Sequence, residues 1–251
     1  RERIDALIDP DLAKRPDAVF YIVGGDPPPE VTRLASRNVV VTGTVDDYRN
    51  HAGDLVSRTA TGEWSMQRQD TSTLKFTVAR DIDALSQPFS VAGGQIQVGR
   101  YEWTSGTATY TSNQSRRVYG SAAVEAGDYY DGARQTARLS VNFLVGRTLL
   151  FEPNYTRNRV TRPDRAPFVS NVLNFRVSQS FSPELFVKAF AQYNDERKTA
   201  SFQFLFWYIY RPGSDLYVVY NQGWDTDLPS GSAARVRGRS LAVKTTWWWA
   251  R

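Results

Sequence analysis

From about residue 60 onward, apolar and polar residues alternate position by position. In "VSNVLNFRVSQSF", Leu173, Phe175, Val177 and Phe181 share one side of an extended chain, and Asn174, Arg176, Ser178 and Ser180 share the other. "ELFVKAFAQYN" sets Leu185, Val187, Ala189, Ala191 and Tyr193 against Lys188, Gln192 and Asn194. "DLYVVYNQG" sets Leu216, Val218 and Tyr220 against Asn221, and "RSLAVKTTWWW" sets Leu241, Val243, Trp247 and Trp249 against Ser240, Lys244 and Thr246. Successive side chains of a strand point to opposite faces, so each run predicts a strand with one apolar and one polar face.

Turn residues punctuate these runs: "SPE", "NDERK", "RPGSD" and "TDLPSGSAA". The pattern places strands near 62–69, 73–81, 99–112, 116–127, 134–146, 148–160, 169–181, 185–195, 199–211, 215–224 and 236–249, about eleven in all. Most are near 10 residues or longer. Strands of soluble proteins average about 5–6 residues, whereas a tilted strand crossing a bilayer needs about 9–11. Length therefore predicts an antiparallel up-and-down meander or β-barrel of the outer-membrane type, with about 10–12 strands. Bacterial single-chain barrels use even strand numbers, so a count of about eleven leaves one strand uncounted or the barrel incomplete.

The aromatic residues fit this expectation. Membrane barrels carry Tyr, Trp and Phe in girdles at the headgroup level, and Tyr193, Tyr208, Tyr210, Tyr217, Tyr220, Trp247 and Trp249 are the candidates for such membrane-interface positions. Trp248, between two of them, is expected to turn toward the lumen or a turn. The lumen-lining candidates are Arg176, Lys188, Arg211, Arg239 and Lys244. Rings of such charges bias a pore toward anions; alternatively they pair with Asp and Glu on neighbouring strands. One run, "FQFLFWYIY", is apolar on both faces, with Phe202, Phe204, Phe206, Tyr208 and Tyr210 opposite Leu205, Trp207 and Ile209. It suits a strand covered on both sides.

Residues 1–57 read differently. An apolar run from Val19 to Val23 ends at Gly24 and Gly25, Pro27 to Pro29 delay any helix until "PEVTRLAS", and "NVVVTG" reads as a second strand. This β-α-β order predicts a short α/β segment with parallel strands. Residues 1–57 hold 7 Lys/Arg against 10 Asp/Glu, residues 58–251 hold 24 against 16, and all 7 Trp lie in the second segment. The composition break places a domain boundary at residue 57, before a β-barrel domain over 58–251.

Two resemblances attach to these words. "PDAVFYIVGG", "PPEVTRLAS" and "VVVTGTVDDYR" are similar to a fragment of retaining, two-Rossmann-domain glycosyltransferases over about residues 15–55. The family's later Gly-rich loop and glutamate pair are absent, so a fragment without activity is implied. "PFSVAGGQIQVGRYEWTSGTATYTSNQSRRVYGSAAVEAGDYYDG", "VLNFRVSQSFSPELFVKAFAQYN" and "YRPGSDLYVVYNQGWDT" resemble a bacterial family of uncharacterised domains. Its members join a module like a carbohydrate-binding domain to a C-terminal outer-membrane β-barrel. That resemblance, covering about residues 60–251, implies an outer-membrane location, lipid as partner, and a structural or passive transport role tied to carbohydrate uptake.

Composition narrows the chemistry. The chain has no Cys and one His, His51 in a polar stretch, which removes thiol and His-cluster sites. No run of about 18 apolar residues predicts a membrane helix, and "RERIDALIDP" lacks the apolar core of a signal peptide. Acidic pairs at Asp46–Asp47, Asp81/Asp83, Asp195–Glu196 and Asp225/Asp227 read as turn residues, and Asp215, Asp225 and Asp227 as a weak candidate for Ca²⁺. No catalytic grouping, phosphate loop or cofactor fingerprint emerges, so no enzyme, cofactor or metal is expected. The net charge of +5 comes from Arg scattered along the strands rather than gathered in a stripe, so nucleic acid is not an expected partner. Three alternatives stay open: a soluble β-sandwich or barrel binding carbohydrate, an inactive glycosyltransferase fragment, and two reading frames joined near residue 57.

Overall fold

Alternating Thr, Ser, Val, Tyr and Phe favour extended backbone, because branched and aromatic side chains pack well on a pleated surface. The computed structural model describes residues 20–23, 36–91, 94–227 and 234–249, and every regular element among them is a strand. In chain order these are β1 (Phe20–Val23), β2 (Ser36–Arg49), β3 (Leu55–Arg68), β4 (Thr73–Leu85), β5 (Phe89–Val91), β6 (Gly94–Ile96), β7 (Gly99–Thr111), β8 (Val118–Tyr129), β9 (Gly132–Val145), β10 (Leu149–Arg162), β11 (Arg165–Ser180), β12 (Leu185–Asn194), β13 (Thr199–Arg211), β14 (Ser214–Asp225) and β15 (Arg235–Thr246).

Thirteen of them follow one another in a single sheet in the order β1-β2-β3-β4-β7-β8-β9-β10-β11-β12-β13-β14-β15, and β5 and β6 pair as a separate hairpin. This is the antiparallel meander that the alternation predicts. Twelve strands of the sheet are long, and the shortest of these, β12, has 10 residues. Eleven correspond to the predicted runs; the twelfth, β2, was legible only at "NVVVTG". The chain falls into two compact units. The first comprises residues 1–112, 123–136 and 159–168; the second comprises 113–122, 137–158 and 169–251.

One expectation for the first 57 residues changes. β1 and β2 pair antiparallel, Phe20 opposite Gly43 and Val23 opposite Val40, so they are not the parallel strands of a β-α-β unit. The helix expected at "PEVTRLAS" and the turn at Gly24 and Gly25 lie, but for Ser36, outside the described residues. β3 runs through residue 57, and its ladder with β2 continues from Tyr48↔Ser57 and Asp47↔Arg58 to Val39↔Met66. In this stretch the register is set by side-chain alternation, which passes unbroken across the compositional change.

Each unit carries the same two-faced pattern. In the first, one face presents Val41, Val45, Ala60, Trp64, Phe76 and Val78, and the other presents Thr59, Thr61, Glu63, Ser65, Thr77 and Thr107. In the second, Phe175, Ala191, Phe202, Gln222 and Arg239 form one row on the apolar side toward its edge, while Val177, Ala189, Phe204, Tyr220 and Leu241 and Val187, Phe206, Val218 and Val243 fill its middle. Nothing among the described residues covers the apolar faces. Among all the described residues only Ile96 and Val160 are buried apolar side chains, whereas Val78 is 57%, Leu173 49% and Val243 63% exposed. A water-soluble sheet of this size stacks its apolar face on a second layer about 10 Å away.

Candidate functional site

The polar face of the second unit is built in rows. Register partners across β11, β12, β13, β14 and β15 place Arg176, Phe190, Gln203, Asn221 and Ser240 side by side. The next row, toward the 181–184 turn, holds Ser178, Lys188, Leu205, Val219 and Ala242, and the one after it Ser180, Phe186, Trp207, Tyr217 and Lys244. A groove of about 600 Å³ opens over the first two rows, with Glu152 of β10 on its margin. Glu152 lies 3.9 Å from the Arg176 guanidinium, which in turn sits 5.7 Å from the centre of the Phe190 ring. Asn221 donates from Nδ2 to Ser240 Oγ at 3.3 Å.

The expected lumen-lining residues therefore divide. Arg176, Lys188 and Lys244 share the polar face. Arg239 stands two positions from Leu241, and a period of two puts it on the apolar face, opposite Gln222. Arg211 ends β13 beyond a bulge and lies over the Trp247 ring, 4.6 Å from its centre. It belongs to the turn and the aromatic cluster there, not to the row of cations.

The aromatic candidates divide as well. Tyr208, Tyr210, Trp247 and Trp249 form one chain of rings at the 211–214 end, with Tyr210–Trp247 centroids 5.6 Å apart and Trp247–Trp249 6.3 Å. Tyr210 donates its hydroxyl to the Thr246 carbonyl at 2.7 Å. Trp248 turns the other way: its backbone N–H donates to Ser214 Oγ at 2.9 Å and its Cβ lies over Gly213. Gly213 has φ 77°, a left-handed turn conformation that suits glycine, and any side chain there would also meet Trp248. Tyr193 sits at the opposite end of its strand, on the apolar face with Leu173 and Ala200. Tyr220 is on the apolar face but in mid-strand, between Phe204 and Leu241. Tyr217 departs from its expected place: parity puts it on the polar face, stacked on Trp207. With Phe186 edge-on to Trp207 at 4.4 Å, the second face of "FQFLFWYIY" is packed by neighbouring rings at Trp207, while Leu205 lines the open groove.

The first unit holds a cluster that alternation did not reveal. On its polar face Trp103 and Tyr101 stand opposite Asp81 and Asp83. The Tyr130 ring lies 4.5 Å from Trp103 and 5.4 Å from Tyr101, and its hydroxyl donates to Asp83 at 2.8 Å. The β5–β6 hairpin rests here: Phe89 meets Tyr130 at 5.5 Å, Tyr101 donates to the Gln97 carbonyl, and Arg162 donates to the Gln95 carbonyl and to Asp131. Ile96 is 1% exposed. The short runs "PFSV" and "GQIQV" were the available signal, but three-residue strands have too few alternations to register. Burial and the Asp83 carboxylate push the Tyr130 phenol well above its usual range.

Acidic pairs sit differently from expectation. Asp46–Asp47 and Asp81/Asp83 are inside β2 and β4 rather than at turns, and Asp47 accepts from Arg58. Asp215 and Asp225 are ten positions apart on β14, roughly 33 Å at the rise of an extended strand, so they do not converge on one ion. His51 is exposed in the 50–54 turn. On the apolar face of the first unit, charge collects toward the 85–99 end, where Arg80 and Arg100 both bind Glu102 at 3.0 Å. No family model, curated protein or solved structure matches the chain.

Proposed function

We propose that this chain is part of an outer-membrane β-barrel protein of a bacterial envelope, with its apolar faces toward lipid and its polar faces toward water. One observation carries the reading: long strands present apolar sides, with Val41, Trp64, Phe76 and Val78 in the first unit and Phe175, Phe204, Val218 and Leu241 in the second, that no layer of the described chain covers, leaving only Ile96 and Val160 as buried apolar residues among those described. In water, each exposed Val, Leu or Phe forgoes about 1.5–3 kcal/mol of burial; against hydrocarbon it forgoes none. The aromatic chain at the 211–214 end and the Arg80–Glu102–Arg100 group on the apolar face suit the headgroup level. Backbone hydrogen bonds join neighbouring strands through the sheet, while its outer strands β1 and β15 each have one neighbour among the described residues; a bilayer requires those edges to be paired by further strands or by closure.

The role that follows is structural support or passive passage of hydrophilic solutes along the polar face. A link to carbohydrate uptake rests on resemblance. The test is partition of the whole chain between detergent-rich and aqueous phases, and between lipid vesicles and buffer, with strand content followed by circular dichroism. Recovery in the detergent phase and in vesicles with strands intact is the expected result; a monomeric, strand-rich protein that stays in buffer overturns the proposal.

A further inference from the structure

The groove on the polar face of the second unit holds more positive than negative charge and has an apolar strip beside it. Its first row runs Arg176, Phe190, Gln203 and Asn221 across four strands, a span of roughly 14 Å at the usual strand spacing. Lys188 adjoins this row on β12. Arg176 reaches its nearest carboxylate, Glu152, only at the 3.9 Å limit of an ion pair. Lys188 has no carboxylate partner among the described residues; its ammonium lies 5.5 Å from the Phe186 ring centre. The groove thus holds two cations and one acid, Glu152, which approaches only Arg176. Gln203 and Asn221 stand opposite each other and bring amide donors and acceptors to the far half of the row. The volume of about 600 Å³ falls in the range of small-molecule sites, ~300–1,000 Å³.

We infer that this groove binds small organic carboxylates that carry a flat apolar body. The carboxylate sits between Lys188 and Arg176, the body lies on Phe190, and a hydroxyl or carbonyl at the far end meets Gln203 and Asn221. Charge-assisted hydrogen bonds are the strong ones, so the cations set affinity and the amides set preference among ligands. The assignment rests on the reading that this face is open to water within a membrane protein, and it narrows the solutes in question to one class.

The test uses the whole chain in non-ionic detergent, titrated calorimetrically with benzoate, 4-hydroxybenzoate and the neutral isostere benzamide. Benzoate is expected to bind and benzamide not, at the same concentrations. Lys188→Gln and Arg176→Gln each weaken benzoate about tenfold, the scale of one hydrogen bond to a charged group. Lys188→Arg retains binding, and Glu152→Gln strengthens it severalfold by removing the competing acid. 4-Hydroxybenzoate binds more tightly than benzoate, and Asn221→Ala erases that difference. Equal heats for benzoate and benzamide, no benzoate binding, or binding unchanged in both Gln variants with strand content intact overturns the assignment. Vesicle partition is measured separately. A chain that enters vesicles but ignores benzoate sinks the groove alone, and one that binds benzoate while staying in buffer supports the groove and sinks the membrane reading.

Discussion

Trp207 and Tyr217 stack with centroids 4.9 Å apart and planes 21° apart, on the same side of the sheet as Arg176, Lys188 and Lys244. They are direct register partners on β13 and β14, so the stack is a consequence of strand pairing. With Phe186 edge-on to the same indole at 4.4 Å, three rings bridge β12, β13 and β14.

Trp207→Ala removes two of these ring contacts. At about 0.5–1.5 kcal/mol per aromatic pair beyond area burial, the expected loss is about 1–3 kcal/mol. Urea unfolding of detergent-refolded protein measures it. Trp207→Phe keeps an aromatic partner for both neighbours and loses less.

Thr77 and Val78 are adjacent on β4 and point to opposite faces. If the Val78 face meets hydrocarbon, Val78→Arg costs about 2–4 kcal/mol near the bilayer centre, while Thr77→Arg, on the polar face, costs far less. Folding yields of both variants in lipid vesicles give the comparison. Equal yields contradict the assignment of faces.

Tyr130 occupies the turn between β8 and β9 with φ 51°, and its hydroxyl is tied to Asp83. Its phenol is raised above the ordinary value near 10 by burial first and then by the Asp83 hydrogen bond and charge. A raised value in the folded state gives stability that is fully present below pH ~10 and is lost as pH rises through the folded value. Tyrosinate absorbance should show one phenol titrating late, absent in Tyr130→Phe and shifted back toward the rest in Asp83→Asn.

Asp195 opens the turn between β12 and β13 and accepts from both the side-chain amide and the backbone N–H of Asn171. The Asn171 amide hydrogen bond, ahead of the backbone one, holds its carboxyl below the usual range. The resulting stability is present above the ordinary Asp value of ~3.9 and disappears as pH falls below it. Exchange of the Asn171 amide hydrogen should therefore slow between pH ~3 and ~5 in the native chain, relative to Asp195→Ala, with the two converging at lower pH.

Alternation with a period of two determined by itself that this chain forms long antiparallel strands with one apolar face, and it located eleven of the twelve long ones. Leu173, Phe175 and Val177 could be assigned a common face from spacing alone, because side-chain direction in a strand is a property of the backbone. The sequence places Arg239 among the lumen-lining cations and Tyr217 among the interface aromatics; the register instead sets Arg239 on the apolar face and Tyr217 on the polar one, opposite Lys244. Only the tertiary structure decided which strands are neighbours, and so that Arg176, Phe190, Gln203 and Asn221 share a row while Arg211 leaves it for Trp247. It also decided that the "PFSV…GQIQV" hairpin rests against Arg162, Tyr101 and Tyr130, and that β1 runs antiparallel to β2. Those outcomes depend on turn geometry and on contacts between residues distant in the chain, which local alternation does not encode.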